Sequence, residues 1–293
     1  MKLSSKPLLR LRAAVLSLML GCVVIGVWQF ATLDDNQTQH AQMTAEQIEY
    51  AKLMGQPVPG KDVGQRHDGF PTPAQLWSVG LSNLAHPFYD HGPNDKGIGI
   101  QLGWSLLRVA AGYLLAIAVA VPFGFVIGMS PVFYRAVDPF IQLLKPISPL
   151  AWMPIALYTI KDASVSAIFV IFICSVWPML INTAFGVANV RKDWLNVART
   201  LEVQPMRKAF LIVLPAAAPT IVTGMRISMG IAWLVIVAAE MLVGGTGIGY
   251  FVWNQWNNLS LPNVIFAVLL IGVVGMVLDQ LFACLQRKVT YVE

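Results

Sequence analysis

Charge is scarce in this chain. Asp, Glu, Lys and Arg make up 12% of its 293 residues, about half the share typical of soluble domains. So few ions cannot clothe a water-facing surface of this size, which excludes an ordinary soluble domain. Cysteine is nearly absent too. Cys22, Cys174 and Cys284 each fall in an apolar stretch, with no disulfide framework and no zinc spacing. His40, His67, His86 and His91 all lie between the first two apolar stretches, where they read as solvated loop residues rather than metal ligands. An intramembrane enzyme needs paired carboxylates, a Ser–His pair or a metal cluster at membrane depth. None is visible, so neither catalytic residues nor a metal site is expected.

Apolar residues fill the chain instead, at 56% of the total and a mean hydropathy of +0.64. Six stretches approach or exceed the roughly 20 apolar residues that cross a bilayer: 13–31, 104–129, 139–160, 163–190, 215–243 and 264–285. The expected fold is an all-α integral membrane protein with six transmembrane helices. Residues 1–31 would form a tail and the first span, 32–98 an outer segment with an insertion at 34–69, and 99–290 a five-span core that includes the loop 190–215. The third stretch is the weakest, because Pro139, Pro146, Pro149 and Pro154 interrupt it and Lys145 sits inside it. An apolar run so broken lines protein or a cavity, where freed backbone groups find partners.

Lys2, Lys6, Arg10 and Arg12 precede the first stretch, but "GVWQFATLDD" offers no small-x-small cleavage site, so a retained helix is expected rather than a secretory signal. Basic residues set the orientation. Both termini in the cytoplasm place Arg135, Arg191, Lys192, Arg199, Arg207, Lys208, Arg287 and Lys288 inside, and leave the acid-rich segment 32–98 outside. The net charge of +5 is then topological and does not imply nucleic acid.

Two glycine-rich stretches imitate phosphate loops. "GQPVPGKD", Gly55 to Asp62, lacks the final Ser or Thr that would hold magnesium, and no strand precedes it. "GGTGIG", Gly244 to Gly249, follows an apolar stretch and reads as a flexible turn. In the outer segment, "TAEQIEYAKLM" after Thr44 and "AQLWSVGLSNL" have the spacing of short helices.

The loop 190–215 is unlike a simple connection. In "NVRKDWLNVARTL", Asp193 is placed to cap a helix whose Trp194, Val197, Ala198 and Leu201 share one face. Glu202, Val203 and Gln204 make a turn, and Pro205 suits the first position of a second helix, "PMRKAFLIVLP", expected to end at Pro215. The product is a short basic hairpin at the cytoplasmic surface, shaped to dock into another protein.

This hairpin resembles the cytoplasmic loop of ABC importer membrane subunits, whose pattern is Glu-Ala-Ala, three residues, Gly, nine residues, Ile-x-Leu-Pro. The frame fits without a gap: Asn196-Val197-Ala198, then Glu202 at the Gly place, then Ile212-Val213-Leu214-Pro215. Asn196 replaces the Glu, and Glu202 replaces the Gly that eases the turn. "FPTPAQLW" is similar to the lead-in of sulfonate, taurine and nitrate permeases. "KPISPLAWMPIAL", "FVIFICSVWPMLINT", "IAWLVIVAAEML" and "GTGIGYFVWNQWNN" resemble the nitrate, cyanate or bicarbonate branch. The likeness runs from about Phe70 to the C-terminus.

The resemblance implies a type I importer permease fold in a bacterial inner membrane. It implies two permease subunits, expected as a homodimer, bathed in membrane lipid. Two cytoplasmic ATPase subunits, which bind ATP and magnesium, would dock on the hairpins, and a periplasmic or lipoprotein solute-binding protein would deliver substrate. No cofactor is expected in this chain. The substrate implied is a small anion, nitrate with nitrite or cyanate beside it, and sulfonate, taurine or bicarbonate as the alternative. Asn196, Val197, Ala198, Arg199, Leu201, Glu202 and Pro205 would form the coupling surface. A channel or secondary transporter would share the spans but has no need of the hairpin.

Within the stretches, Arg108, Lys145, Arg226, Glu240 and Asp279 are the charges that need partners or a cavity. Lys145, with Ser148 and Trp152, suits an anion pathway, or else snorkels to the interface. Asn182 and Glu240 are further pathway candidates. Arg226 and Glu240 stand fourteen residues apart on one helix and cannot pair with each other, so partners on other spans are expected.

Overall fold

A computed structural model describes residues 5–38, 70–92 and 95–290. The expected helix after Thr44, the "GQPVPGKD" stretch, His40 and His67 lie outside them. The described residues are mainly helical, with a lone antiparallel bridge between Asp90 and Lys96. In chain order the helices are α1 (Ser5–Thr38), α2 (Pro73–Ala85), α3 (Ile98–Met129), α4 (Pro131–Leu144), α5 (Pro149–Ile160), α6 (Ala163–Ala188), α7 (Lys192–Thr200), α8 (Pro205–Lys208), α9 (Leu214–Val243), α10 (Ile248–Asn257) and α11 (Leu261–Val289).

Contacts divide the chain into two compact units, one of Met1–Ala85 with Gln255–Phe266, the other of His86–Asn254 with Ala267–Glu293. In the first, Thr72 and Gln75 cap α2 reciprocally: Thr72 N–H donates to Gln75 Oε1 at 3.0 Å, and Gln75 N–H to Thr72 Oγ1 at 3.3 Å. With Pro73 opening the helix, "TPAQ" is thus a start signal, and it bears out the helix expected there. Trp28 donates from Nε1 to Pro71 O at 3.1 Å and meets the Phe70 ring edge-on. Asn83 donates to Asn263 Oδ1 at 2.9 Å.

The second unit is organised around α6. Gly112, Ala116, Ala120, Gly124 and Gly128 recur every four residues along α3 and form a smooth stripe. A Cβ on Gly112 would stand 2.8 Å from Ile171 Cβ, and one on Gly124 would stand 2.8 Å from Thr183 Cβ, so α3 and α6 approach nearly backbone to backbone. On another face of α6, a Cβ on Gly224 of α9 would collide with Asn182. Ile171, Met179, Ala232 and Ile236 are completely enclosed.

Among the described residues, five helical segments are long and apolar enough to cross a membrane: Arg12–Thr32, Ile98–Met129, Ala163–Ala188, Pro205–Val243 and Leu261–Val289. The stretch expected as the third span is not one helix. It is α4 and α5, bent by 92° across 145–148. Ser130 caps α4, Pro131 opens it, and Pro139 lies inside rather than at its start. Pro146 supplies no N–H to continue the ladder, and Pro149 opens α5. The sequence showed the weakness; the structure turns it into a corner.

Candidate functional site

Three local arrangements carry the chemistry. The first is the hairpin at 190–215. α7 starts at Lys192, so Asp193 sits in its first turn instead of capping it. There its carboxylate still favours the helix end, and it pairs loosely with Arg191 at 3.8 Å. The far end closes as a Schellman turn: Val203 N–H donates to Ala198 O and Glu202 N–H to Arg199 O, both at 3.0 Å. This motif needs a left-handed residue just past the helix, and Glu202 takes it with φ 50°. A glycine there would be easier by about 1 kcal/mol. The frame's glycine position is therefore conformationally intact although its residue is not glycine.

Pro205 opens the second arm, as expected, but that arm does not stop at Pro215. It runs through a π-helical turn, Ala209–Val213, straight into α9. Leu214 N–H reaches back five residues to Ala209 O. One extra residue per turn makes room for the Pro215 ring, which would otherwise press on the carbonyl four residues earlier. At the base, Val187, Val190, Val213, Ala217 and Ile221 form a buried cluster that roots the hairpin in α6 and α9.

Of the expected coupling residues, Asn196, Val197, Arg199, Leu201, Glu202 and Pro205 are exposed. Ala198 is the exception. At 1% exposure it packs within its own chain, because it lies on the inner side of a helix whose outer side carries Trp194, Val197 and Leu201. The apolar face read from spacing is therefore divided between an inward alanine and outward large residues.

The second arrangement pairs the charges within the spans. Arg226 of α9 grips Asp279 of α11 with two parallel bonds of 2.6 Å, from Nε and Nη2. Glu240, 2% exposed, is held at the other end of α9. Arg108 Nη1 donates to its Oε1 at 2.8 Å and Gly249 N–H to its Oε2 at 3.0 Å. Ser105 Oγ, 2.7 and 2.9 Å from the two oxygens, gives its proton to the carboxylate and accepts from Ile248 N–H at 2.8 Å. Gln101 Oε1 takes Gly247 N–H at 2.6 Å, and Arg108 also binds Thr246 O and Ser164 Oγ. The "GGTGIG" stretch is thus a tightly fitted turn, not a flexible one. It does cradle an anion at the start of α10, as phosphate loops do, and the anion is this chain's own carboxylate.

The third arrangement is the corner between α4 and α5. Lys145 and Ser148 are exposed there and Trp152 is half-buried. Lys145 makes no side-chain hydrogen bond or ion pair with described residues, and Ser148 precedes α5 without capping it. Asn182, also half-buried, turns its amide back onto Pro178 O at 2.8 Å. No cluster of metal-ligating side chains occurs among the described residues. Gln101, Ser105 and Ser164 were not anticipated. Their trace is the i, i+4, i+7 spacing of Gln101, Ser105 and Arg108, a polar stripe on an otherwise apolar helix.

Residues 120–291 match the family described as "Binding-protein-dependent transport system inner membrane component". "Nitrate import permease protein NrtB" of Synechocystis sp. is 45% identical over 223 residues, covering 76% of this chain and 81% of that protein. "Bicarbonate transport system permease protein CmpB" of the same organism is 44% identical over 222 residues, covering 75% and 79%. A chain of the MetNI methionine ABC transporter, solved in inward-facing conformations, aligns at 16% identity with a TM-score of 0.57, over 64% of this chain and 94% of that one. At that identity the likeness establishes the fold, that of type I importer permeases. The chain belongs to the family of binding-protein-dependent transport system inner membrane components, as a permease subunit of the ABC importer type.

Proposed function

We propose that this permease carries nitrate into the cell, with nitrite or cyanate as related cargo, at the expense of ATP hydrolysed on partner subunits. The observation that carries the reading is the 45% identity to a nitrate import permease over three quarters of the chain. Bicarbonate is the second reading, supported by a permease of that name at 44% identity. Nitrate and bicarbonate are both planar, singly charged and rimmed with oxygen, so one pathway chemistry suits either.

In this reading cytoplasmic ATPase subunits, carrying ATP and magnesium, dock on the exposed face of Val197, Leu201 and their neighbours. An outer binding protein delivers the anion to two copies of this chain, and both termini lie on the cytoplasmic side of the inner membrane. The pathway runs past Lys145, Ser148, Trp152 and Asn182. Glu240 serves it from behind, by fixing the loop at 244–249.

The test is uptake into vesicles holding the purified permease, its ATPase subunits and its binding protein. ATP-dependent accumulation of labelled nitrate, little affected by excess bicarbonate, is the expected result. Bicarbonate uptake without nitrate uptake would establish the second reading. Uptake of taurine or a sulfonate alone would overturn both.

A further inference from the structure

The hairpin has a recess as well as a projecting face. Leu201, Glu202, Val203, Gln204, Arg207, Leu211 and Ile212 line an open cleft of about 800 Å³ beside the turn. Leu201 and Leu211 stand 70% and 68% exposed on its walls, so the recess offers unpartnered apolar surface. Glu202 is the one carboxylate among its lining residues, and Arg207 the one cation. They do not pair with each other, and neither side chain makes a hydrogen bond or ion pair with any described residue. Glu202 also holds the left-handed backbone that glycine would occupy with less strain. Folding this turn does not call for a carboxylate.

We propose that the cleft receives a projecting apolar side chain of the ATPase subunit, and that Glu202 selects a partner carrying a lysine or arginine beside it. The inference rests on the docking reading above. Arg207 takes the partner's carboxylate in the same way, so the two unpaired charges fix the orientation of the inserted segment. Each alone leaves a rotation free; an apolar knob flanked by opposite charges leaves one seating. Lys192, Arg199 and Lys208 make most of the rest of the hairpin basic; its other carboxylate, Asp193, already stands beside Arg191 at 3.8 Å, so Glu202 is where a cation of the partner finds an unengaged carboxylate. The carboxylate thus works by excluding wrong partners as much as by holding the right one.

The experiment measures binding of the ATPase subunits to the full-length permease in nanodiscs, at low and at high salt. Glu202→Gly eases the backbone, and Glu202→Asn keeps a residue that tolerates the left-handed turn. Both are expected to weaken binding about tenfold at low salt, with much of the difference gone at high salt. The permease's own melting temperature should not fall. Leu201→Ala should weaken binding at both salts. Unchanged binding of both Glu202 variants overturns the proposal, as does a loss that salt leaves untouched. Val197→Asp separates the two levels. If it releases the ATPase subunits while the Glu202 variants do not, only the cleft assignment falls; if it too has no effect, docking at the hairpin falls with it.

Discussion

The carboxylate carbon of Glu240 lies 2.1 Å from where a Cβ on Gly247 would stand. The carboxylate takes the space that any side chain at 247 would need, and the loop closes over it through three consecutive backbone N–H groups, two on Glu240 and its partner Ser105 and one on Gln101. Gly247→Ala should therefore expel the loop or the carboxylate, destabilising the purified permease by about 3 kcal/mol or more. Gly245→Ala meets no neighbouring atom and has only its φ of 95° to resist it, about 1–2 kcal/mol. Denaturant titration in detergent compares the two; equal losses would refute the clamp.

Glu240→Gln leaves Arg108, 11% exposed, beside a neutral amide. Breaking a buried pair from one side costs about 3–5 kcal/mol, and uptake should fall with folded yield. Arg108→Met combined with Glu240→Gln should recover part of the loss, as the same stability measurement would show.

Arg226 and Asp279 tie α9 to α11 through parallel bonds. Exchanging them, as Arg226→Asp with Asp279→Arg, should restore transport that either single change reduces. Failure of the double variant to exceed both singles in vesicle uptake would show that the residues act separately.

Ala198→Asp should place a charge inside the hairpin itself, since the residue is 1% exposed. The loss, about 3 kcal/mol or more, would appear in the isolated permease as protease cleavage at 190–205. Val197→Asp, at an outward site 58% exposed, should leave cleavage unchanged and reduce ATPase binding alone.

Lys145 stands at a proline-built corner with no side-chain partner among the described residues. Lys145→Gln should slow uptake at saturating binding protein, while Lys145→Arg retains more activity, because a narrow pathway for an anion asks for charge rather than shape. Parent-like uptake by the Gln variant would leave the lysine as an interfacial anchor.

Much of this architecture was legible in the residues. Five of the six expected spans appear as long helices, with ends shifted by several residues where lead-ins interrupted by polar residues, such as Gln101 in 98–103 or Arg207 and Lys208 in 205–214, join the helix. Proline spacing announced the break at 145–148, but nothing local encodes an angle of 92°. Partners for Arg226 and Glu240 on other spans were expected, because a charge at that depth needs one. Which residues answered depended on how α3, α9 and α11 pack. The same dependence hid the role of "GGTGIG": its N–H groups were visible as anion donors, while the anion came from seven residues upstream of Gly247 on a different helix. Ala198 shows the limit of periodicity, which locates a face without saying whether that face turns toward its own chain or outward.

Because the second arm of the hairpin never ends at Pro215, Pro205–Val243 is one helix of 39 residues, about 58 Å long at 1.5 Å per residue. The hairpin turn sits at one end of this connecting rod and Glu240, clamped to the loop at 244–249, at the other. No break in the helix separates residue 205 from Glu240, and the π-helical turn at Ala209–Val213 is where its pitch departs from that of an α-helix. The same helix therefore carries the hairpin turn at one end and the buried carboxylate of Glu240 at the other.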